Sequence, residues 1–206
     1  LADDPRFALK MLAASPAPQG GVAPSVERAL KLEAHAFPAP DAAPTDLPEI
    51  MPLADATPED CDVVVDFSHS EAALSVAHVP SEGVWRLSAF APGAGLAEAR
   101  DRAPFTEVTL TRHRAGRAEP VATAKYDTEF LAARNAAFIR EKSVQMIKQA
   151  LARLALTGSA GRVTAPLSAP RSFKVRDLPG YGLRTATELA NRTLNAAGER
   201  LGRRPG

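Results

Sequence analysis

Proline is concentrated in the first 60 residues of the chain, and this limits what the N-terminal part can fold into. That stretch holds 10 of the 18 prolines, six of them between positions 38 and 58. Because proline fixes φ and lacks a backbone N–H, regular structure cannot persist through such spacing. We predict an extended linker or strap over residues 38–60. A helix over residues 25–37, with Ser25 as its N-cap, is predicted before it.

The middle of the chain shows a pattern of alternating strands and helices. The β-branched run Val63-Val64-Val65 is typical of a buried parallel strand. Its alternation with short helical segments favours βαβ units in a right-handed parallel arrangement. The predicted strands cover residues 63–67, 84–91, 105–113 and 121–126, and the predicted helices cover residues 71–79 and 96–102.

The C-terminal part is predicted to form two helices. Asp127 can cap a long helix that runs to about residue 156 and ends at Gly158, and a final helix follows over residues 183–201. These patterns predict the α/β class, with a small βαβ-type sheet body, a long C-terminal helix pair and an extended Pro-rich N-terminal segment. The corresponding regions are residues 1–60, 61–126 and 127–206.

Two lines of apolar residues at seven-residue spacing follow the long helix, and only Arg140 interrupts them. Roughly thirty helical residues span about 45 Å, which is longer than a small domain needs. Part of this surface is therefore predicted to contact another protein, although a helix in the core of its own domain explains the same pattern. The residues predicted at that contact are Phe130, Ala137, Val144, Ile147, Leu151 and Leu154.

Charge is divided unevenly along the chain, although the formal net charge is only +1. Residues 1–60 carry a net charge of −6, residues 61–125 carry −1 and residues 126–206 carry +8. Such asymmetry concerns partners and assembly rather than the fold. The basic C-terminal region predicts contacts with nucleic-acid phosphates or with an acidic protein. Its candidate contact residues are Arg184, Arg192 and Arg200.

The sequence also bears on where the protein works. No stretch approaches the ~20 apolar residues that span a bilayer, and the start of the chain lacks the features of a secretory signal. The first residue is Leu1 rather than Met, which removal of an organellar transit peptide or a cloning boundary would explain. An organellar, mitochondrial-matrix location is the expectation from this start and from the Ala- and Arg-rich composition.

Few residues are candidates for a catalytic, cofactor-binding or metal-binding site. Cys61 is the only cysteine, which excludes an internal disulfide and a multi-cysteine zinc site; we predict no catalytic residue, cofactor or metal site. Asp66 ends a predicted strand, where open α/β sheets bind ligands, although an Asp there also caps a following helix. His113, between Arg112 and Arg114, is a second weak candidate. His69 and His78 are predicted to be solvated or to flank a helix, and His35 is predicted to be structural.

Two segments carry a family resemblance. Residues 62–74 read Asp-Val-Val-Val-Asp-Phe-Ser-His-Ser-Glu-Ala-Ala-Leu, and residues 107–124 contain Arg-His-Arg followed by Pro-Val-Ala-Thr-Ala. They resemble dihydrodipicolinate reductase, the NAD(P)H-dependent enzyme of lysine biosynthesis. That family has the strand D-V-V-I-D-F-T, and His-His-Arg-His-Lys before Asp-Ala-Pro-Ser-Gly-Thr-Ala. Residues 87–96 loosely resemble its Gly-rich loop. The resemblance implies a nucleotide site near Asp66 and His113.

The chain departs from this family where the chemistry is done. Arg112 stands where the family's leading catalytic His would be, and Gly116 stands where its Lys would be. Val121 and Ala122 replace the Ser-Gly that holds the substrate carboxylate. No Gly-x-Gly-x-x-Gly precedes a helix in residues 1–60, so no pyrophosphate loop is evident. The resemblance therefore implies a degenerate relative that keeps the scaffold and has lost the hydride and proton chemistry.

The sequence is compatible with three functions. The first is a non-catalytic structural or accessory subunit of a larger protein assembly. The second is an NAD(P)H-dependent reductase, and the third is an RNA-associated subunit of ribosomal type. The absent site chemistry and the uneven charge favour the first, so we expect a chain that binds other protein subunits rather than an enzyme.

Overall fold

The computed structural model describes residues 12–14, 23–36, 50–52, 58–163, 178–183, 185–187, 190–191 and 193. In chain order its elements are β1 (Leu12–Ala14), α1 (Pro24–Ala36), β2 (Ile50–Pro52), β3 (Val64–Asp66), α2 (Glu71–Ser75), β4 (Val84–Leu87), α3 (Leu96–Asp101), β5 (Phe105–Arg114), β6 (Arg117–Asp127) and α4 (Ala132–Thr157). A four-stranded mixed sheet and the helices around it confirm the predicted α/β class.

The main sheet has the order β3-β4-β5-β6 and is only partly parallel. β3 and β4 pair in parallel across α2, as a βαβ unit does. The parallel prediction is wrong for the other strands, because β4–β5 and β5–β6 are antiparallel. Two residues join β5 to β6: Ala115 has φ 48° and Gly116 has φ 73°. So short a connection with positive φ at both positions forms a tight hairpin and forces the strands antiparallel.

The elements around β4 are shorter than predicted. α2 ends at Ser75 rather than near residue 79, because Pro80 lacks an N–H and disfavours helical backbone before it. β4 ends at Leu87 and passes into a 3-10 turn at Ser88–Phe90. The Ser88 hydroxyl accepts a hydrogen bond from Thr109 N at 2.9 Å, which ties this turn to β5.

α4 packs along one face of the sheet. It begins at Ala132 rather than near residue 127, because Asp127 still belongs to β6 and pairs with Phe105. Its end agrees with the prediction: Gly158 has φ 68° and its N–H donates to Leu154 O at 2.8 Å. The core between α4 and the sheet includes Trp85, Leu87, Val108, Leu110, Val121, Ile139, Met146, Ile147 and Ala150.

A second apolar cluster joins α1 and α3 to the start of α4. The predicted first helix is confirmed at Pro24–Ala36, but Ser25 lies inside it, so the predicted N-cap is wrong. Val26 of this helix is buried against Leu96, Ala99, Ala132 and Ala136. The two clusters together contain residues from all three predicted regions. The packing therefore joins parts of those regions in one body, and among the described residues neither core cluster is confined to one side of residue 126.

A two-stranded parallel sheet lies outside the main one. β1 pairs with β2 in the register Leu12↔Ile50 to Ala14↔Pro52, so the predicted strap contains a strand that the proline pattern concealed. Pro52 ends its strand, where the missing N–H is tolerated.

Part of the predicted final helix is described. Residues 178–183, 185–187, 190–191 and 193 are helical, so the helix reaches back beyond the predicted start at residue 183. The Tyr181 hydroxyl accepts a hydrogen bond from Ala132 N at 2.7 Å, which holds this segment against the start of α4. The candidate contact residues Arg184, Arg192 and Arg200 lie outside the described residues.

Candidate functional site

A buried ion pair lies at the carboxyl end of β3. Asp66 ends β3 and pairs in register with Arg86 on β4. Arg86 lies between Trp85 and Leu87, whose side chains enter the core against α4, so its own side chain is on the opposite face of the sheet. The Asp66 Oδ2 atom accepts from Arg86 Nε at 2.7 Å, and both side chains are more than nine-tenths buried.

Two further polar atoms of this pair, Asp66 Oδ1 and Arg86 Nη2, also have partners. The Asp66 Oδ1 atom accepts from Ser68 N at 2.8 Å and from the Ser68 hydroxyl at 2.6 Å. Arg86 Nη2 donates to the carbonyl of Ser70, the residue whose hydroxyl caps α2 by accepting from Ala73 N. A buried pair of charges is tolerated when its lone pairs and protons are satisfied in this way. Asp66 is therefore an anchor for the turn from β3 into α2.

His69 closes this turn over β4. Its backbone has φ 54°, a left-handed conformation that residues other than glycine rarely adopt. Its Nε2 lies 2.7 Å from Leu87 O, so Nε2 carries the hydrogen and donates it to the carbonyl. Burial lowers the pKa of His69 below its ordinary value, and the charge of Arg86 lowers it further, against the hydrogen bond to Leu87 and the charge of Asp66.

His113 approaches the same ion pair from β5. It pairs with Val84, two residues before Arg86, which places it on the face that holds the ion pair. Burial lowers the pKa of His113, and the charges of Arg86 and His69 add to that effect, whereas Asp66 and Glu71 oppose it. Both imidazoles are thereby kept neutral at physiological pH.

The structure therefore brings together both weak candidates from the sequence, Asp66 and His113. Arg86, the residue that connects them, was missed. One signal could have found it: a charged residue inside the run Val-Trp-Arg-Leu must have a partner if that strand is buried. With both Asp66 oxygens accepting from protein donors, the part of the cluster formed by Asp66, Arg86 and His69 is a closed polar network. His113 is the member for which the described part of the chain provides no hydrogen-bond partner.

The motif Arg112-His113-Arg114 is divided between the two faces of the sheet, because side chains alternate along a strand. Arg112 pairs with Trp85 in register and lies on the face opposite His113. Its guanidinium donates to Glu82 and to Glu119, each at 2.7 Å. The bond to Glu119 contributes most to the raised pKa of Arg112. The motif that resembled a reductase signature thus forms two separate networks.

The residues predicted to contact a partner along α4 have mixed surroundings. Ile147 is fully buried in the chain's own core, so it is not available to a partner and that prediction is corrected. Leu151 and Leu154 are half-buried against the same core. Phe130 and Val144 are also half-buried, and Ala137 is exposed.

Most residues of the predicted lines lie beside the buried face of α4 rather than on it, because a seven-residue spacing does not fix which side of a helix is buried. The face of α4 that is buried consists of Ala132, Asn135, Ala136, Ile139, Ser143, Met146, Ile147 and Ala150. Arg140, which interrupted the predicted line, lies beside that face, where its Nε donates to Ala89 O at 3.3 Å. Burial lowers the pKa of Arg140.

Comparison with known proteins gives no relative. No protein-family model, curated protein sequence or solved structure matches this chain. The resemblance to dihydrodipicolinate reductase therefore stays a prediction. Among the described residues, no group of three or more His, Cys, Asp or Glu side chains is placed to hold a metal ion. Within that same part of the chain, no helix combines the length and apolar character needed to cross a bilayer.

Proposed function

We propose that this chain is a non-catalytic accessory subunit of a larger protein assembly. The observation that carries the proposal is the closed network around Arg86. Each Asp66 oxygen accepts from protein donors, and His69 is bonded to a backbone carbonyl. A general base must be free to reach the proton that it abstracts. Groups tied up in this way stabilise a turn instead of performing chemistry.

The surface carries exposed apolar side chains and charged regions that suit contacts with other chains. Large apolar side chains on helices stay exposed, with Leu32 71% exposed, Leu156 79% and Leu183 72%. The N-terminal region is acidic and the C-terminal region is basic, which suits contacts with neighbours of opposite charge. A subunit would bury these leucines against its partners, and each fully buried leucine would contribute roughly 1.5–3 kcal/mol.

Co-purification tests the proposal. The full chain carrying an affinity tag is recovered from its source and examined by light scattering after size exclusion. We expect it to elute in a species larger than a monomer, together with other chains at fixed ratio. The paired variant Leu32→Asp, Leu156→Asp should lose partners and keep its far-UV circular dichroism. A compact monomer that brings no other chain at fixed ratio contradicts the proposal.

The alternative reductase function has a separate test. Fluorescence titration with NADH and NADPH measures whether the chain binds a nicotinamide nucleotide. Under our proposal no binding is expected, because Asp66 is only 5% exposed and its carboxylate is already engaged by Arg86 and Ser68, which keeps it from a ribose. Binding at micromolar concentration that is weakened by His113→Gln would favour the reductase and count against an accessory subunit.

A further inference from the structure

The edge of the molecule where α4 runs beside β6 carries a line of basic side chains. α4 and the segment after it follow β6 in the opposite direction: the Tyr126 hydroxyl donates to Lys142 O in α4 at 3.4 Å, and Val163 N, beyond the end of α4, donates to Pro120 O at 3.0 Å. We call this line the basic edge. Its members are Arg117, Lys142, Arg153 and Arg162.

The four cations follow one another along this edge. Lys142 and Arg153 are eleven residues apart on α4, which places them on the same side of the helix and about 16 Å from each other. Arg153 lies against Gly161, so close that a Cβ on that glycine would be 2.7 Å from the guanidinium, and Arg162 comes next. Arg117 and Arg162 both act on the carboxylate of Glu119, whose pKa they help to lower.

Few carboxylates neutralise the basic edge. Glu119 already accepts from Arg112 at 2.7 Å, and this bond is the main reason for its lowered pKa. Glu141 lies 3.6 Å from Lys142 in an exposed pair, which contributes little. Arg117, Arg153 and Arg162 are exposed, and Lys142 is half-buried. The edge therefore keeps a positive charge that faces solvent.

Two aromatic rings lie at the Lys142 end of the basic edge. Tyr126 and Phe138 meet edge to face with centroids 6.4 Å apart and an interplanar angle of 83°. Both are half-buried, and Lys142 Nζ lies 5.5 Å from the Phe138 ring centroid. Cations that track a backbone beside rings on which a base can stack are the features by which proteins bind single strands.

We propose that the basic edge binds a single-stranded nucleic acid, with its phosphates along Arg117, Arg153, Arg162 and Lys142 and a base against Tyr126. This function goes beyond the accessory role and does not depend on it. The contacts engage phosphates and a ring face, so they read no sequence. RNA and DNA single strands both provide phosphates and stacking bases, and a comparison of oligo-U with oligo-dT distinguishes them.

Fluorescence anisotropy of the full chain with labelled oligo-U and oligo-dT of about 15 nucleotides tests the proposal. Binding is expected to weaken steeply between about 50 and 200 mM salt, with a log–log slope of about −2 to −3 for three to four phosphate contacts. Equal affinity for both strands assigns recognition to phosphate and stacking. A clear preference for oligo-U assigns the 2′-hydroxyl a part. A salt-insensitive signal, or none, overturns the proposal.

Two pairs of charge-reversal variants, one on the basic edge and one on a different side of α4, show by their binding affinities where the nucleic acid binds. Arg153→Glu with Arg162→Glu is expected to weaken binding by roughly tenfold or more. The control Arg134→Glu with Lys148→Glu makes the same change of charge on a different side of α4 and should leave affinity nearly unchanged. Tyr126→Leu keeps apolar bulk and is expected to lose roughly fivefold through stacking. Equal losses in both charge pairs, with circular dichroism intact, overturn the assignment to this edge.

Acidic protein is the competing ligand. Polyglutamate is added to the complex at matched charge concentration. We expect weak competition, because it offers carboxylates but no rings for Tyr126. Competition equal to that of unlabelled oligo-U, together with an unaffected Tyr126→Leu variant, would mean that the edge binds acidic polypeptide and would overturn the nucleic-acid proposal. None of these outcomes depends on whether the chain joins a protein assembly.

Discussion

At the scale of single residues, stability depends most on the polar side chains that the sheet buries. Arg86 and Asp66 are charged and lie out of contact with water, so each is tolerable only while the other is present. Asn135 is fully buried and donates to Gly95 O at 2.8 Å and to the Thr106 hydroxyl at 3.0 Å. Removing one partner leaves the other unsatisfied, which is a larger penalty than the bond itself contributes.

A double-mutant cycle measures this dependence for the ion pair. We expect Arg86→Met to lower the free energy of unfolding by about 3–5 kcal/mol, because it leaves the Asp66 carboxylate buried and unpaired. The double variant Asp66→Asn, Arg86→Met should recover part of that loss. Urea denaturation checks both values, and Lys31→Met, in the exposed pair with Glu27, is the control with no expected change. Additive effects of the two substitutions would contradict the interpretation.

Gly95 gives a prediction with a control inside the same chain. It has φ 77°, and a Cβ there would lie 2.8 Å from Asn135 Nδ2 and 3.0 Å from Ile139 Cδ1. Gly95→Ala is therefore expected to cost about 2–4 kcal/mol from backbone strain and overpacking together. Gly116 has φ 73° with nothing near its Cβ position, so Gly116→Ala should cost only about 1 kcal/mol. Equal losses measured by thermal denaturation would show that steric contact with Asn135 is unimportant.

At the scale of elements, polar side chains on the β3–α2 turn, β4 and β5 lie close together. Two of them, His69 and His113, make the stability of the fold depend on pH. Burial lowers the pKa of both His69 and His113, and the groups facing them are Arg86, Asp66 and Glu71. As the pH falls through about 6.5, the two histidines bind protons in the unfolded chain before they do so in the folded chain. Stability is constant above that pH and is lost as the pH falls below it toward the lowered folded-state pKa values.

The measurement is urea unfolding at about pH 7.5 and about pH 5. We expect the midpoint to fall at the lower pH in the unmodified chain. The fall should be smaller in His69→Asn, His113→Gln, in which asparagine tolerates the positive φ at position 69. His78→Gln, at an exposed histidine, should behave as the unmodified chain does. An equal fall in all three chains would assign acid sensitivity to other groups.

The burial of residues along α4 predicts how substitutions in this helix change the stability of the isolated chain. If the helix belongs to its own core, Ile147→Ala leaves a cavity and costs about 2–5 kcal/mol in the isolated chain. Leu156→Ala, at a side chain 79% exposed, should stay within about 0.5 kcal/mol. Urea denaturation compares the two. A small effect of Ile147→Ala would restore the prediction that this residue contacts a partner instead.

Sequence patterns predicted elements better than they predicted pairing. The end of α4 at Gly158 was predictable because glycine termination is a local signal. The first helix was predicted from its partial apolar stripe, but its predicted cap was wrong because the helix starts at Pro24, before Ser25. The antiparallel hairpin was missed although Ala115-Gly116 is turn-like, because the alternation of strands and helices before it favoured a parallel sheet. The sequence indicates that Arg86 needs a partner in a buried strand, but it does not identify Asp66 as that partner, because the two meet through the register of strands whose residues are twenty apart. The buried side of α4 was not predictable from spacing alone, because residues on its buried side recur every seven residues just as the predicted lines do.

At the scale of the whole molecule, packing joins regions that the sequence suggested were separate. Trp85 and Leu87 on β4 pack in one cluster with Ile139 and Ile147 on α4, on opposite sides of the predicted boundary at residue 126. Neither the sheet nor the helix can bury its apolar face without the other. The sheet body and α4 are therefore expected to fold and unfold as one unit.

A comparison of two probes tests this unity. Trp85 is the only tryptophan and is fully buried in the sheet body, so its fluorescence reports that region. Far-UV circular dichroism reports mainly the helices, of which α4 is the longest described. Small cooperative domains unfold with coincident transitions, so both probes should give the same urea midpoint in the unmodified chain. In Ile147→Ala the two midpoints should move together, because the cavity lies between both parts. A helical signal that persists after the Trp85 transition would mean that residues 127–206 fold on their own.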